Sequence, residues 1–506
     1  MKKILLITFV LICLCQPIFA QNNAKIDVGL QQEMRLREEN ELIRINIILN
    51  QQYDQTEMRN KSSAFPIKED KRAFVVGELK RFAEETQQGV IDFLSAFPAV
   101  SELQSFWIAN FINCYADIEV IRELSIHPDV LLIGFDKEYQ WLSEEKLPRE
   151  IIDATREITY NVQKVNANLV WNLLGYTGEN IIVAILDTGV NYDHLDLKNR
   201  MWIHPNYPYH GWNVYGNNNN PKDDHGHGTH CAGTVAGDGT AGSQTGIAPG
   251  AKIMAVQVLD GTCKGTVPHT LAGLQFAVDK GAHIISLSAG IVGAPDDVLI
   301  LFRNAMVNVL EAGVIAAVAA GNEGINPQPP FCVTCPGSCP PPWLHPDQTT
   351  TGGVSAVVCV GATDIDDNIY AASSIGPVTW QDVPGYDDYH FFPGMGLIRP
   401  DVCAPGVDIK SCSHLKNSGY VFKDGTSMAT PCVAGTMALM LSAHPELSPA
   451  EICEILETTA VRLPTSSSPK GNVFGSGRID AFAAVLAAIE KSCNYAILPL
   501  VKGTIT

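Results

Sequence analysis

Four short strings along this chain carry residue types that could together do acyl-transfer chemistry. Val183-Ala184-Ile185-Leu186-Asp187-Thr188-Gly189 ends an apolar run on a carboxylate. His225-Gly226-His227-Gly228-Thr229-His230 offers three imidazoles. Ala319-Ala320-Gly321-Asn322-Glu323-Gly324 ends a second apolar run on a carboxamide, and Gly425-Thr426-Ser427-Met428-Ala429 sets a serine ahead of a helical stretch. A serine hydroxyl is a weak nucleophile until a general base takes its proton, and the base needs a third group to orient it. Asp187, one of His225, His227 and His230, and Ser427 could supply those parts. At a helix start the backbone N–H of Ser427 would face a developing oxyanion, and Asn322, directly after a glycine, could aim its amide at the same place. Singly, each string is ordinary: an Asp at a strand end is usually a cap or turn former, and a Ser before a helix is usually an N-cap.

These residues need a scaffold that brings together positions 240 residues apart. From about residue 160 the texture is α/β. Ile181–Leu186, Ile253–Leu259, Ile284–Ser288, Val314–Ala320 and Val357–Val360 are short, β-branched, nearly continuous apolar runs, as suits strands buried on both faces of a parallel sheet. Helical patterns alternate with them over Thr270–Lys280 and Val298–Glu311. Others follow Ser427 and cover Ser448–Glu457 and Ile479–Lys491. In an open parallel sheet functional groups collect at the carboxyl ends of the strands, which is where Asp187 and Asn322 fall. Asn326–Thr351, rich in Pro and Cys, and Val378–Met395, rich in aromatic and acidic residues, read as ordered surface loops.

Residues 21 to about 150 differ, with more Glu, Lys and Arg and little Gly. Leu42–Leu49, Phe106–Tyr115 and Val130–Phe135 read as strands, Lys68–Leu94 as a long amphipathic helix and Ile118–Leu124 as a short one. With one strand unplaced, this approximates a split βαβ plan. Ahead of it, Lys2 and Lys3, the apolar run Ile4–Cys15 and Pro17-Ile18-Phe19-Ala20 predict a secretory leader cut after Ala20. The net charge of −19 argues against a nucleic-acid partner, and no later segment reads as a transmembrane helix. An exported chain with 14 cysteines suggests disulfides. The eleven cysteines from residue 151 onward leave at least one thiol over unless it pairs with Cys114 or another chain. Cys332-x-x-Cys335-x-x-x-Cys339, with His345 beyond, has metal-ligand spacing too, though export favours disulfides.

Three of the strings, in the order Asp, His, Ser, make the chain resemble the subtilisin-type serine proteases, or subtilases; other folds carry the same chemistry in other orders. The stretches Ser105-Phe106-Trp107-Ile108-Ala109-Asn110 and His127-Pro128-Asp129-Val130 resemble the inhibitory prosegments of secreted subtilases. These, and the region of Trp171, Leu173, Gly175 and Gly178, look closest to the bacillopeptidase F group of secreted bacterial enzymes. The resemblance implies a three-layer α/β/α catalytic domain with a mainly parallel sheet, preceded by a small α+β ferredoxin-like prosegment. The division would be a signal at 1–20, a prosegment at 21–150, a peptidase domain at 151–492 and a tail at 493–506. It implies catalytic Asp187, His227, which opens His-Gly-Thr-His, and Ser427, with Asn322 as the second oxyanion donor. It sets Ser288, Ala289 and Gly290 on one substrate-binding edge and Gly265, within Lys264-Gly265-Thr266, on the other. It implies no catalytic cofactor and leaves room for a structural calcium, for which Asp196 aligns with a ligand. The partners implied are protein and peptide substrates and the chain's own prosegment as intramolecular inhibitor, in a secreted monomer without stable membrane association. Cys231 and Cys432 stand where many subtilases carry Val and His, and Lys423 and Asp424 alter the rim of the nucleophile loop. Two other readings are a catalytically dead subtilase fold used for recognition and a sedolisin-like acid peptidase. The intact strings oppose the first, and His-Gly-Thr-His with Asn322 opposes the second.

Overall fold

A computed structural model describes residues 25–142, 152–340, 356–391, 396–463 and 470–501. The expected leader, the junction near residue 150, His345, and parts of both inserts (341–355 and 392–395) lie outside the described residues.

The N-terminal domain is built from α1 (Val28–Leu36), β1 (Ile43–Leu49), α2 (Gln55–Ser62), α3 (Lys68–Ser95), β2 (Ser101–Phe106), β3 (Phe111–Ala116), α4 (Ile118–Leu124) and β4 (Val130–Phe135). Its sheet has the order β2-β3-β1-β4 and is antiparallel throughout. The run β1-α3-β2-β3-α4-β4 is the split βαβ plan. The strand expected over Phe106–Tyr115 is a hairpin instead. Asn110, at φ 42°, turns the chain between β2 and β3, and β2 is the strand the sequence left unplaced. Four of its six residues are exposed and only Phe106 is buried, so SELQSF carries no apolar run to read. A short strand, β5 (Tyr139–Gln140), follows this domain.

The second domain has one seven-stranded sheet of order β13-β12-β11-β10-β6-β8-β7. In chain order these are β6 (Ile182–Asp187), β7 (Gly211–Asn213), α5 (His227–Ala236), β8 (Lys252–Gln257), β9 (Lys264–Gly265), α6 (Val267–Asp279), β10 (Ile284–Leu287), α7 (Asp296–Glu311), β11 (Ile315–Ala319), β12 (Val357–Thr363) and β13 (Val402–Pro405). A hairpin of β14 (Ile409–Cys412) and β15 (Tyr420–Lys423) precedes α8 (Thr426–Ala443), α9 (Pro449–Thr459) and α10 (Ala481–Val501). Every pairing within the seven-stranded sheet is parallel. Alternate residues of one strand enter opposite layers. Ala184 and Leu186 pack with α6 and α7, whereas Val183 and Ile185 pack with α5, α8 and α10. That is the three-layer α/β/α arrangement, and it explains why the strands read as unbroken apolar runs. The seven-strand sheet was legible only in part: β7 and β13 are too short and too irregular in sequence to signal themselves.

Both inserts are anchored more deeply than surface loops. Trp380 is fully buried and its indole N–H donates to Ser338 O at 3.0 Å. Arg399 ties the Cys-rich segment down through Gly337 O (3.0 Å) and Cys339 O (2.7 Å). Arg303 holds Asp388 with two bonds, at 2.9 and 2.6 Å, and lies over the Tyr386 ring.

The N-terminal domain docks on α6 and α7. Gln275 Oε1 accepts from the backbone N–H of Trp107 (2.7 Å) and Ile108 (3.2 Å), Asn308 donates to Ile108 O (2.8 Å), and Lys80 meets Asp279 at 2.5 Å. At the start of α7, Asp297 is buried against Gly134 of β4, so closely that a Cβ there would lie 1.9 Å from its Oδ2. Burial, then the negative charges of Asp27 and Asp136, push the Asp297 carboxyl up to about 8, and the nearby backbone N–H groups offset only part of this. Asp136, also raised by burial to about 6, has Arg44 at 3.1 Å as its counter-charge. The folded value lies above the unfolded one of about 3.9. The associated stability is therefore complete below about pH 4 and is lost as the pH rises through about 8. Asp297→Asn is expected to raise the melting temperature of the intact chain at pH 8 and to change it little at pH 4. Equal shifts at both pH values would show that ionisation of Asp297 does not govern this interface.

Candidate active site

Asp187 closes β6 with its side chain fully buried, and the N–H of Thr188 donates to its Oδ1 at 2.8 Å. His227 is the first residue of α5, entered from Gly226 at φ 103°. The imidazole is nearly fully buried, with Nδ1 at 2.8 and 2.9 Å from the two Asp187 oxygens. Such a contact fixes the proton on Nδ1 and leaves Nε2 as the acceptor. Burial by itself would push the imidazole down. Asp187 outweighs it and holds the pKa above the ordinary histidine value.

Ser427 lies in the first turn of α8. Its hydroxyl donates to Ser288 O (2.8 Å), and the Ser288 hydroxyl donates back to Ser427 O (2.9 Å). To bond His227, the Ser427 hydroxyl would have to turn away from Ser288 O, and catalytic hydrogen bonds are often remade only in the Michaelis complex. Cys231, in α5, points its sulfur toward α8, 3.9 Å from His227 Nδ1 and 3.5 Å from Ser427 O. Burial pushes this thiol up, which keeps it protonated as a packing group. Cys432, inside α8, contacts Met428 O (3.5 Å) and Asn161 (3.6 Å).

Asn322 follows β11 and Gly321, the latter at φ 111°. Its Oδ1 accepts from Thr426 N (2.9 Å) and Thr426 Oγ1 (3.1 Å). With the carbonyl end so tied, the amide N–H₂ is the end left to serve the cleft that Asn322 and Ser427 both line, a cavity of about 290 Å³. Of the other histidines, His230 is turned away, with Nε2 at 2.9 Å from Ile409 O, and His225 lies beside Cys263.

The expected substrate edges flank the chain's own segment 139–142. Tyr139 and Gln140 of β5 pair antiparallel with Gly265 and Lys264 of β9. Trp141 N donates to Cys263 O (3.1 Å), its indole N–H to Gly265 O (2.9 Å), and Gly290 N donates to Trp141 O (3.1 Å). Trp141 and Leu142 thus line the same cleft as Ser288, Ala289, Gly290 and Ser427. No motif marks this tail, because its role depends only on where the N-terminal domain ends.

Asp223 was also missed. Its Oδ1 accepts from Thr188 Oγ1 (2.9 Å), His225 N (3.0 Å) and Gly226 N (2.8 Å), and its Oδ2 from Thr229 N (2.9 Å) and the Thr229 hydroxyl. It anchors the first turn of α5 and so the ring of His227. The available signal was an acidic residue just ahead of a helix start.

Asp196 is buried, its carboxyl raised by that burial and bonded to Ala241 N (2.5 Å) and Tyr420 OH (2.6 Å). The metal-ligating types beside it are His194 and Cys412. His194 is already bonded through both nitrogens. Calcium takes six to eight oxygens, and this donor set does not fit it. The eleven described cysteines are all buried free thiols. Cys332, Cys335 and Cys339 form no metal-type cluster among the described residues, and Cys332 donates to Ile375 O (2.7 Å).

A profile of the Subtilase family matches residues 178–477. Bacillopeptidase F of Bacillus subtilis (strain 168) is 32% identical over 466 residues, covering 85% of this chain and 30% of that protein. Subtilisin NAT of Bacillus subtilis subsp. natto is 29% identical over 386 residues, 75% of this chain and 82% of its own. Subtilisin of Bacillus pumilus is 30% identical over 334 residues, 65% of this chain and 99% of its own. The chain belongs to the subtilase family of serine-type endopeptidases. It spans under a third of the length of Bacillopeptidase F and most of the length of the two subtilisins.

If Asp187 is the charge that holds the imidazole proton, Asp187→Asn lowers the His227 pKa. Proton NMR titration of the His227 ring in a Ser427→Ala background measures this. An unchanged midpoint would mean that another group sets it.

Proposed function

We propose that the chain is an exported serine endopeptidase made as a precursor, with Asp187, His227 and Ser427 as its triad. The observation that carries this reading is the Asp187–His227 contact at the end of β6, joined through Cys231, whose sulfur contacts both His227 and Ser427 O, to Ser427, which lines one cleft with Asn322. In the reaction, Ser427 Oγ attacks the scissile carbonyl and its proton passes to His227 Nε2. Asp187 stabilises the imidazolium that forms. The oxyanion is held by Asn322 Nδ2 and the Ser427 N–H at the start of α8. His227 then gives its proton to the leaving amine, and water repeats the sequence to free the acyl group. No step needs a cofactor. Main-chain pairing along Lys264-Gly265 and Ser288-Ala289-Gly290 holds an extended peptide in register.

The placement of residues 139–142 supports the further reading that the N-terminal domain is an inhibitory prosegment whose tail fills the cleft. Lys2, Lys3 and the apolar run to Cys15 support export. Among the described residues, no helix is long and apolar enough to cross a membrane. Protein and peptide chains would be its substrates, and it would act as a monomer. The recognition-only alternative predicts no turnover, and the acid-peptidase alternative predicts an optimum near pH 3 to 4.

Wild-type protein should cleave unfolded casein, with activity rising through an apparent pKa above about 6.5 because Asp187 raises that of His227. It should mature by a cut within a few residues after Leu142, read by N-terminal sequencing. Ser427→Ala should remain a full-length precursor that takes no fluorophosphonate; casein cleavage by this variant at the wild-type rate would remove Ser427 as nucleophile. Asn322→Ala should lower turnover by about 10²–10³-fold with a smaller effect on KM, the usual cost of one oxyanion donor. A loss confined to KM would instead make Asn322 a ground-state binding residue.

A further inference from the structure

Beside the substrate edge lies a second pair of chemically able side chains that the peptidase mechanism does not use. Cys263 immediately precedes β9, and its sulfur is 3.2 Å from His225 Nε2. A thiol at hydrogen-bond distance from an imidazole can pass its proton to the ring, and the thiolate is the reactive form of cysteine. Cys263 sits at φ 63°, a left-handed conformation uncommon for a residue with a Cβ. The residue is 5% exposed and packs in the same buried cluster as Trp141. Trp141 is fastened to this stretch, donating from its backbone to Cys263 O and from its indole to Gly265 O. Cys231 and Cys432 offer a contrast, since both are held within the α5–α8 layer, away from the cleft edge.

We propose that Cys263, activated by His225, is a thiol-modification site on the edge of the substrate cleft, taking a small disulfide by exchange once residues 139–142 have left. The step is balanced without an outside oxidant. His225 Nε2 takes the Cys263 proton, and the thiolate attacks one sulfur of the disulfide. A Cys263 S–S bond forms as the original S–S bond breaks, and the departing thiolate regains the proton from His225. The adduct stands where Tyr139 and Gln140 pair with Gly265 and Lys264, so it obstructs an extended substrate, and a reducing thiol reverses it. The precursor is protected because its own tail covers the sulfur. The proposal rests on the reading of this cleft as the substrate site. Its chemistry is read by mass and its consequence by activity, so the two can fail separately.

The test uses bis(2-hydroxyethyl) disulfide on mature wild-type enzyme and on the full-length Ser427→Ala precursor. Expected are one adduct on the Cys263 peptide of the mature enzyme and none on that peptide of the precursor. Peptide hydrolysis should fall at least tenfold against the same untreated sample and return with dithiothreitol. Cys263→Ser and Cys263→Gly, the latter suited to the positive φ, should show a treated-to-untreated activity ratio near one. His225→Gln should slow adduct formation about tenfold. An adduct on Cys231 or Cys432 in place of Cys263, equal labelling of precursor and mature enzyme, or a Cys263 adduct without loss of activity would each overturn the proposal. If the untreated enzyme shows no proteolysis, the cleft reading fails while labelling at Cys263 still reports on the thiol pair.

Discussion

The candidate site depends on a carboxylate and an imidazole that are both out of water. A buried charge is costly unless geometry and hydrogen bonds offset its desolvation. Asp187 meets that condition with the Thr188 N–H on Oδ1 and with His227 Nδ1 against both oxygens. The ring is held in turn from behind. Asp223 gathers the backbone of His225, Gly226 and Thr229 and the hydroxyls of Thr188 and Thr229, so the first turn of α5 and the end of β6 share one anchor. The raised pKa of His227 is the electrostatic trace of this arrangement.

The sheet explains how the remaining parts reach that pair. β6 lies between β10 and β8, and β11 lies beyond β10. Asp187, Ser288 and Asn322 therefore leave neighbouring parallel strands at the same edge. α8 crosses beneath them and carries Ser427 at its start, where the helix dipole and unpaired N–H groups favour negative charge. Apolar packing on both faces fixes these strands, so the spacing of polar groups at their ends is set by the core.

The N-terminal domain applies the same logic at an interface. It docks through backbone-to-side-chain bonds with Gln275 and Asn308 and through a buried carboxyl, Asp297, that prefers to be neutral. Its tail then adds a strand to β9. This is how an extended peptide is held by main-chain pairing, and the same contacts place Trp141 over Cys263.

The sequence by itself determined the local chemistry. Asp187, His227, Asn322 and Ser427 stand at the ends of apolar runs or the starts of helices, and periodicity located five sheet strands and the large helices within a few residues. It also separated the N-terminal domain, whose helices α3 and α4 follow their apolar spacing. Tertiary structure decided what has no local signature. β7 and β13 are held as strands by neighbours rather than by propensity, and β2 is too polar to read. Gly134 and Asp297 meet only because two domains dock, and Asp223 serves the site through bonds to three separate residues of one turn. Asp196 had a place among possible ligands by alignment, and each of its oxygens accepts a hydrogen bond, from Ala241 N and Tyr420 OH. The pairing of Cys263 with His225, and of residues 139–142 with the cleft, joins positions 38 and more than 120 residues apart. Local spacing encodes which groups a turn or strand end presents, whereas only the packed chain sets which of them share a pocket, because that depends on long-range burial.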